Sequence, residues 1–227
     1  HDPSTAGEGG NIWRNIADEG HPSSPIYNPD GTLSFSAAYT EGDFLYGKNG
    51  TDSERTKLRN TTSFETKFWN NTFRVKGDLT LRKSSMSSVR VRVPVPYSVK
   101  EGETIFLKTG MNDNIYQVAE KNNYLFTNLY TEYENTFKED HYFKALVGYN
   151  YEQQVYESSY ITKNGLLTEN TENINLALGE SVQATAGYNK YRIAGVFARL
   201  NYIYKDRYLF EFNGRYDGSS KFPTNEQ

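Results

Sequence analysis

The sequence of 227 residues contains no cysteine, which excludes disulfide bonds, thiolate metal sites and a cysteine nucleophile. It lacks a basic excess, since the formal net charge is −3, and we therefore expect no nucleic-acid partner. Long apolar runs are absent as well: 36% of the residues are hydrophobic and the mean hydropathy is −0.77, which excludes transmembrane helices. Aromatic residues nevertheless reach 15%, a combination that still permits a membrane β-barrel, whose strands are apolar on one face only.

Three stretches of the sequence alternate apolar and polar residues with a period of two, at 62–82, 125–152 and 196–216. In the first stretch, Phe73 and Val75 would lie on one face of a strand, and Arg74 and Lys76 on the other. Each stretch contains a short turn, at residues 70–71, 137–140 and 205–207. The pattern therefore predicts three β-hairpins.

Long polar connections separate the hairpins, at about 83–120 and 156–190, and residues 1–56 are rich in turn-forming residues. Residues 89–96 could add a short exposed strand that ends at its prolines. Short turns that alternate with long connections are typical of outer-membrane barrels, whose periplasmic turns are short and whose extracellular loops are long. We therefore expect residues 1–56 to be an extracellular loop region and residues 57–227 to form barrel strands.

Six strands are too few for an open barrel, and an unpaired strand edge cannot face lipid. The fold class that we expect is therefore all-β, as a section of a large antiparallel transmembrane β-barrel with long extracellular loops. The alternatives are a soluble β-sandwich that serves as a surface adhesin or glycan-binding module, and a secreted glycan hydrolase. The two folds differ in what covers the apolar face of the strands. In a barrel this face meets lipid, and in a sandwich it packs against a second sheet. The apolar residues concerned are Phe73, Val75, Leu79, Phe210 and Phe212.

The last hairpin carries a family resemblance. Residues 199–210 read RLNYIYKDRYLF and residues 212–222 read FNGRYDGSSKF. These runs closely resemble two adjacent barrel strands of the SusC/RagA-type TonB-linked outer-membrane proteins of Bacteroidota. The positions that match the family pattern are Arg199, Tyr202, Tyr204, Tyr208, Arg215, Asp217, Gly218, Ser219, Ser220 and Phe222.

The resemblance implies a barrel of 22 strands in the bacterial outer membrane, with a plug domain in its lumen. It further implies active import of oligosaccharides or peptides, a SusD-like surface lipoprotein as partner, and energy from the TonB complex. The sequence shows no plug-like segment and no TonB box, so we expect those contacts to lie outside these residues. The family resemblance implies no enzymatic activity, and no catalytic motif is present.

Polar residues of the predicted strands could line the lumen or form ion-pair ladders between strands, and we favour the ladders as their main role. The lumen-lining candidates are Arg74, Lys76, Arg199, Asn201, Glu211, Asn213 and Arg215. The run from Asp217 to Ser220 is interpreted as a structural turn, because its residues bond their own backbone or permit a positive φ.

Aromatic residues in the predicted loops are the candidates for substrate binding, because their rings stack on sugars or apolar side chains. These candidates are Trp13, Tyr27, Tyr39, Tyr97, Tyr116 and Tyr160. The alternative is that they pack the loops together or contact the lipoprotein. No cofactor and no metal site is predicted, although loop carboxylates could bind calcium. Those carboxylates belong to Asp30, Asp43, Asp52 and Asp113.

Overall fold

The computed structural model describes residues 23–100, 102–107, 113–171, 173–180 and 182–222. Its helices are α1 (Phe35–Thr40), α2 (Gly42–Tyr46) and a 3-10 helix (Ile174–Leu176). Its strands are β1 (Gly50–Phe68), β2 (Phe73–Arg92), β3 (Val95–Lys100), β4 (Glu103–Leu107), β5 (Asn114–Phe137), β6 (His141–Asn164), β7 (Val182–Tyr204) and β8 (Tyr208–Ser219). No helix in the described part of the chain is long and apolar enough to cross a bilayer.

Six strands form one sheet in the order β1-β2-β5-β6-β7-β8, and β3 pairs with β4 in a separate small sheet. Because consecutive long strands are neighbours, the sheet consists of the three predicted hairpins laid side by side. The last hairpin is antiparallel and pairs Tyr204 with Tyr208 beside the turn and Ile193 with Ser219 at its open end. The predicted fold class, an all-β barrel section of about six strands, is confirmed.

The strands extend well beyond their predicted boundaries, which corrects the extent of the connections. β2 continues to Arg92 and β5 begins at Asn114, so the connection expected at 83–120 shrinks and itself contains β3 and β4. The connection expected at 156–190 shrinks likewise to the residues between β6 and β7, and β1 begins inside the expected loop region 1–56. A strand of 24 residues is roughly 80 Å long, whereas about 10 residues cross the hydrocarbon layer.

The chain divides into two compact units, and the first contains the connections. It comprises His1–Arg55, Met86–Glu120 and Ser158–Ala186. Ala37, Ala38 and Val95 are buried where α1 and α2 pack on β3. The fully buried Asn49 accepts a hydrogen bond of 2.6 Å through Oδ1 from the Val93 amide, which ties the start of β1 to the residue after β2. This unit therefore has a small core of its own.

The second unit comprises Thr56–Ser85, Lys121–Glu157 and Gly187–Gln227, and it contains the three short turns. Each turn uses residues with positive φ, as at Asn71 (71°), Glu139 (59°) and Asp206 (51°). One face of its strands is apolar and open: Leu79 is 40% exposed and Phe212 is 56% exposed. Since no described strand covers this face, the β-sandwich alternative fails and the lipid-facing arrangement stands.

Candidate functional site

Aromatic rings gather at the short-turn ends of the strands in the second unit. Trp69 lies 5.7 Å from Phe73, measured between ring centroids. At the neighbouring turns the His141 ring lies 4.9 Å from that of Tyr204, and its Nδ1 is 2.7 Å from the hydroxyl of Tyr202. Interfacial belts of membrane barrels place Tyr and Trp in this way, with the ring against lipid and the polar tip in water.

The polar face of the same unit carries a network of charged side chains. Arg74 donates through Nε to Glu132 Oε2 at 3.0 Å and through Nη2 to Glu134 Oε2 at 2.5 Å. Lys76 lies 3.1 Å from the same Glu132 oxygen, and the Tyr142 hydroxyl donates to Glu134 at 2.8 Å. The cations of β2 are thus matched by carboxylates of β5, an arrangement suited to joining strands rather than to holding a passing solute.

The polar residues of the last hairpin also pair with one another. Arg199 lies opposite Asn213 and donates through Nε to its Oδ1 at 2.7 Å, while Asn213 donates to Glu211 at 2.6 Å. Asn201 lies opposite Glu211 in the register, and Arg215 donates through Nε to Asp217 Oδ2 at 2.6 Å. The structure therefore brings the predicted lumen-lining residues of β7 and β8 onto one face, where Arg199, Asn213 and Glu211 are linked by hydrogen bonds.

The run from Asp217 to Ser220 differs from the turn that we expected. Asp217, Gly218 and Ser219 are the last residues of β8, paired with β7, and the turn begins at Ser220. The Ser220 hydroxyl accepts from the Arg192 amide at 2.8 Å, and the Ser220 amide donates to the Arg192 carbonyl at 2.9 Å. Turn-forming residue types continue the strand here because their backbone groups find partners on β7.

Three of the predicted substrate-binding tyrosines meet in the first unit. Tyr97 makes an edge contact with Phe35 at 5.3 Å, and Phe35 stacks on Tyr39 at 6.2 Å. Tyr27 and Tyr97 both line a cavity of about 380 Å³. We call Tyr27, Phe35, Tyr39 and Tyr97 the loop aromatic cluster. Sequence reasoning missed Phe35, although its position four residues before Tyr39 in a helical segment was a usable signal.

Asn28 fixes the base of this cluster. Its side-chain amide donates to the Leu33 carbonyl at 3.2 Å and to the Ser98 carbonyl at 3.0 Å. The Ser98 amide in turn donates to the Leu33 carbonyl at 3.0 Å. These bonds join the segment before α1 to β3 and thereby position Tyr27 and Tyr97 at one cavity.

A tyrosine at the end of α2 links the segment before β1 to the connection between β6 and β7. The Tyr46 hydroxyl donates a hydrogen bond to the Glu169 carboxylate. Burial, and then this bond and the charge of Glu169, raise the pKa of Tyr46 to about 12. Tyr46 also lines the cavity beside the loop aromatic cluster, so the bond holds one wall of that cavity.

Tyr97 lies in β3, and the remaining described tyrosine candidates lie in strands of the six-stranded sheet, which corrects their expected place in loops. Tyr116 belongs to β5 and Tyr160 to β6, and their rings stack at 6.4 Å. The Arg90 guanidinium of β2 lies 5.0 Å from the Tyr116 centroid, and the Tyr160 hydroxyl donates to Glu120 at 3.2 Å. We call Arg90, Tyr116 and Tyr160 the Arg-Tyr row. The sixth candidate, Trp13, lies outside the described residues.

Two of the carboxylates proposed for calcium, those of Asp30 and Asp113, accept hydrogen bonds from the protein, and Asp52 lies in β1 rather than in a loop. Asp30 accepts through Oδ1 from the Thr32 hydroxyl at 2.6 Å and from its amide at 3.0 Å, and these bonds lower the pKa of Asp30. Asp113 accepts from the Leu166 amide at 3.0 Å. Among the described residues no three acidic, His or Cys side chains gather closely enough to hold a metal ion. The side chain of Asp43 lies outside the described residues, and loop calcium stays a prediction.

Comparison with known proteins finds no matching family model but two similar curated proteins. The chain is 25% identical over 225 residues to the TonB-dependent receptor P3 of Formosa agariphila, a match that covers 98% of this chain and 22% of that receptor. It is 34% identical over 93 residues to the TonB-dependent receptor P26 of the same organism, covering 40% of this chain and 9% of that receptor. The chain thus spans less than a quarter of the length of either relative.

The fold has a solved counterpart. It matches a chain in the structure of the RagAB peptide transporter with a TM-score of 0.68 and 17% identity, over 86% of this chain and 20% of that chain. The sequence likeness and the fold likeness agree with each other and with the strand-and-turn pattern of the last hairpin. The resemblance is therefore confirmed: the chain is similar to TonB-dependent receptors over nearly its whole length, and its fold is that of a β-barrel section as in the RagAB transporter, which agrees with a place in the bacterial outer membrane.

Proposed function

We propose that the whole protein imports oligosaccharides or peptides across the outer membrane, with energy from the TonB complex. The single observation that carries this proposal is the likeness to proteins named TonB-dependent receptors over 98% of the chain. The structural neighbour is titled a peptide transporter, which supports peptides as one substrate class. The proposal places this chain in the wall of the transporter and assigns it no catalytic step.

We further propose that a SusD-like surface lipoprotein works with the receptor. The structural neighbour is a two-component assembly by its title, RagAB, which supports a paired arrangement. The loop aromatic cluster offers rings that either a solute or the lipoprotein could cover, since Tyr27 and Tyr39 are both more than half exposed. No observation favours the adhesin alternative, because its strands would need a second sheet.

Deletion of the gene in its native host tests the import proposal. The deletion strain should fail to grow on one substrate of a panel of glycans and peptides, and a plasmid copy should restore growth. Affinity purification of the tagged receptor should recover a lipoprotein encoded beside it. Unchanged growth on every substrate would contradict import, and recovery of the receptor alone would contradict the partner.

Two substitutions in the full-length receptor test the loop aromatic cluster. Tyr97→Ala removes the half-buried ring that Phe35 contacts, and the control Tyr188→Ala removes an exposed ring from β7, outside the cluster. We expect growth on the imported substrate to slow for Tyr97→Ala and to stay normal for Tyr188→Ala. Equal growth of the two variants would show that the cluster touches neither solute nor lipoprotein.

A further inference from the structure

Arg90 of the first unit has no hydrogen-bond or ion-pair partner among the residues that the structure describes. The Nε of Arg90 is buried and makes no hydrogen bond, and the guanidinium forms no ion pair with any described residue. The contact that it does make is with the ring of Tyr116, at 5.0 Å from the centroid. The residue is half-buried: Nε is covered, whereas the Nη groups are open, and no described carboxylate pairs with them, so they are available to an acceptor from outside.

The face of the sheet around Arg90 is polar. The Ser53 and Ser88 hydroxyls lie 2.7 Å apart across β1 and β2, and Arg55 Nη2 lies 3.1 Å from the sulfur of Met86. Arg90 follows Ser88 by two residues on the same strand, so it projects from the same face. This face is therefore the polar side of the sheet in the first unit.

Positive charge prevails on this face, although the whole chain carries a formal charge of −3. The strand residues that share the face include the guanidinium groups of Arg55 and Arg90. Among the described strand residues of this unit, Glu120 is the one carboxylate on the same face, and it already accepts a hydrogen bond from the Tyr160 hydroxyl. A negatively charged solute would be attracted here, and more strongly at low salt.

We propose that the Arg-Tyr row is a subsite for a solute that carries a carboxylate. The guanidinium of Arg90 would take the carboxylate end-on, through its two Nη groups, in a bidentate geometry. The stacked rings of Tyr116 and Tyr160 would carry the adjoining sugar ring or apolar side chain. This inference rests on the proposed import function and narrows its substrate class to acidic oligosaccharides or acidic peptides.

Glu120 acts as a positioning residue in this subsite. Its carboxylate holds the Tyr160 hydroxyl at 3.2 Å and so fixes the ring that stacks on Tyr116. The same carboxylate repels a second acidic group on the solute. Glu120→Gln keeps an acceptor for the hydroxyl but removes the charge, so it should tighten the binding of multiply charged solutes.

Calorimetric titration of the purified full-length receptor tests the subsite with four probes. Tetragalacturonate is compared with its neutral methyl ester, and a tetraglutamate peptide with tetraglutamine, which separates the sugar source from the peptide source. We expect one acidic probe to bind wild type and to lose about tenfold to a hundredfold in affinity with Arg90→Gln. Arg90→Lys should lose less, because it keeps the charge but not the planar fork.

Lys163→Gln is the matched control. It removes one positive charge from β6, three residues after Tyr160 and therefore on the opposite face. Its affinity for the acidic probe should equal that of wild type. Heat-dependent mobility on SDS gels confirms for each variant that the barrel is folded.

Several results would overturn the subsite. These are the absence of binding of both acidic probes to wild type, equal binding of the neutral and the acidic probes, and an equal loss of affinity in Lys163→Gln and Arg90→Gln. Uptake of radiolabelled substrate by cells separates the two proposals: a receptor that imports a neutral solute normally with Arg90→Gln refutes the subsite and leaves import intact. A deletion strain with no uptake defect refutes import itself.

Discussion

Gly148 of β6 lies where two neighbouring strands leave no room for a side chain. A Cβ atom at this position would lie 2.6 Å from Phe197 Cε2 and 2.7 Å from Tyr130 Cβ. The Phe197 ring could rotate away, but a Cβ atom is fixed to its backbone, so relief requires a shift of β5 or β6. Such overpacking costs typically about 1–3 kcal/mol, and we expect Gly148→Ala to lower the free energy of unfolding by that amount.

The assay is equilibrium unfolding of the full-length receptor in lipid vesicles by denaturant, read from tryptophan fluorescence and gel mobility. Gly214→Ala in β8 is the control, because a Cβ there meets its nearest atoms at 3.5 Å, an ordinary contact. Phe197→Leu should rescue Gly148→Ala only in part, since the contact with Tyr130 remains. Equal stability of Gly148→Ala and wild type, or an equal loss in Gly214→Ala, would refute the packing argument.

The remaining expectations concern charge, pH and loop order. The Glu132 side chain is 11% exposed and pairs with two cations, so Glu132→Gln should lower the free energy of unfolding by about 1–3 kcal/mol in the same denaturant assay. The Glu211 side chain is 50% exposed, and Glu211→Gln should change the free energy of unfolding by about 0.5 kcal/mol or less. The raised pKa of Tyr46 means that its hydrogen bond stabilises the fold fully below pH 10 and loses that effect as the pH rises to about 12. Tyr46→Phe should therefore reduce the late-ionising part of an absorbance titration by one tyrosine, and a titration identical to that of wild type would contradict this. Asn28→Ala should make the loops on intact cells more sensitive to protease, because three hydrogen bonds are lost, and unchanged digestion would show that these bonds do not order the loops.

The short turns and the strands beside them could be predicted from the sequence because their physics is local. Asn70 and Asn71 tolerate positive φ, and the structure gives them φ values of 50° and 71°. From Phe73 onwards one face must meet lipid, which enforces strict alternation of apolar and polar residues. Pattern and structure agree wherever the hydrocarbon layer imposes this contrast between the two faces.

The strand ends away from the short turns could not be predicted in the same way. The end of β2 includes the run KSSMSS at 83–88, which has no apolar face and resembles loop sequence. Above the hydrocarbon layer both faces of a strand can contact water or polar groups, so hydrogen bonding continues the strand without any hydrophobic pattern. A prediction from the apolar-polar pattern therefore makes the strands of a membrane barrel too short at the ends that lie outside the hydrocarbon layer.

The same physics explains why the Arg-Tyr row escaped prediction. Tyr116 and Tyr160 were expected in loops, and Arg90 was part of a short exposed strand ended by prolines. Once β2 is known to run to Arg92, the alternation of Val89, Arg90 and Val91 places the arginine on the polar face. The ring contacts depend on β5 lying between β2 and β6, a pairing between residues far apart in sequence. A site of this kind becomes visible only when strand register aligns residues that no local pattern connects.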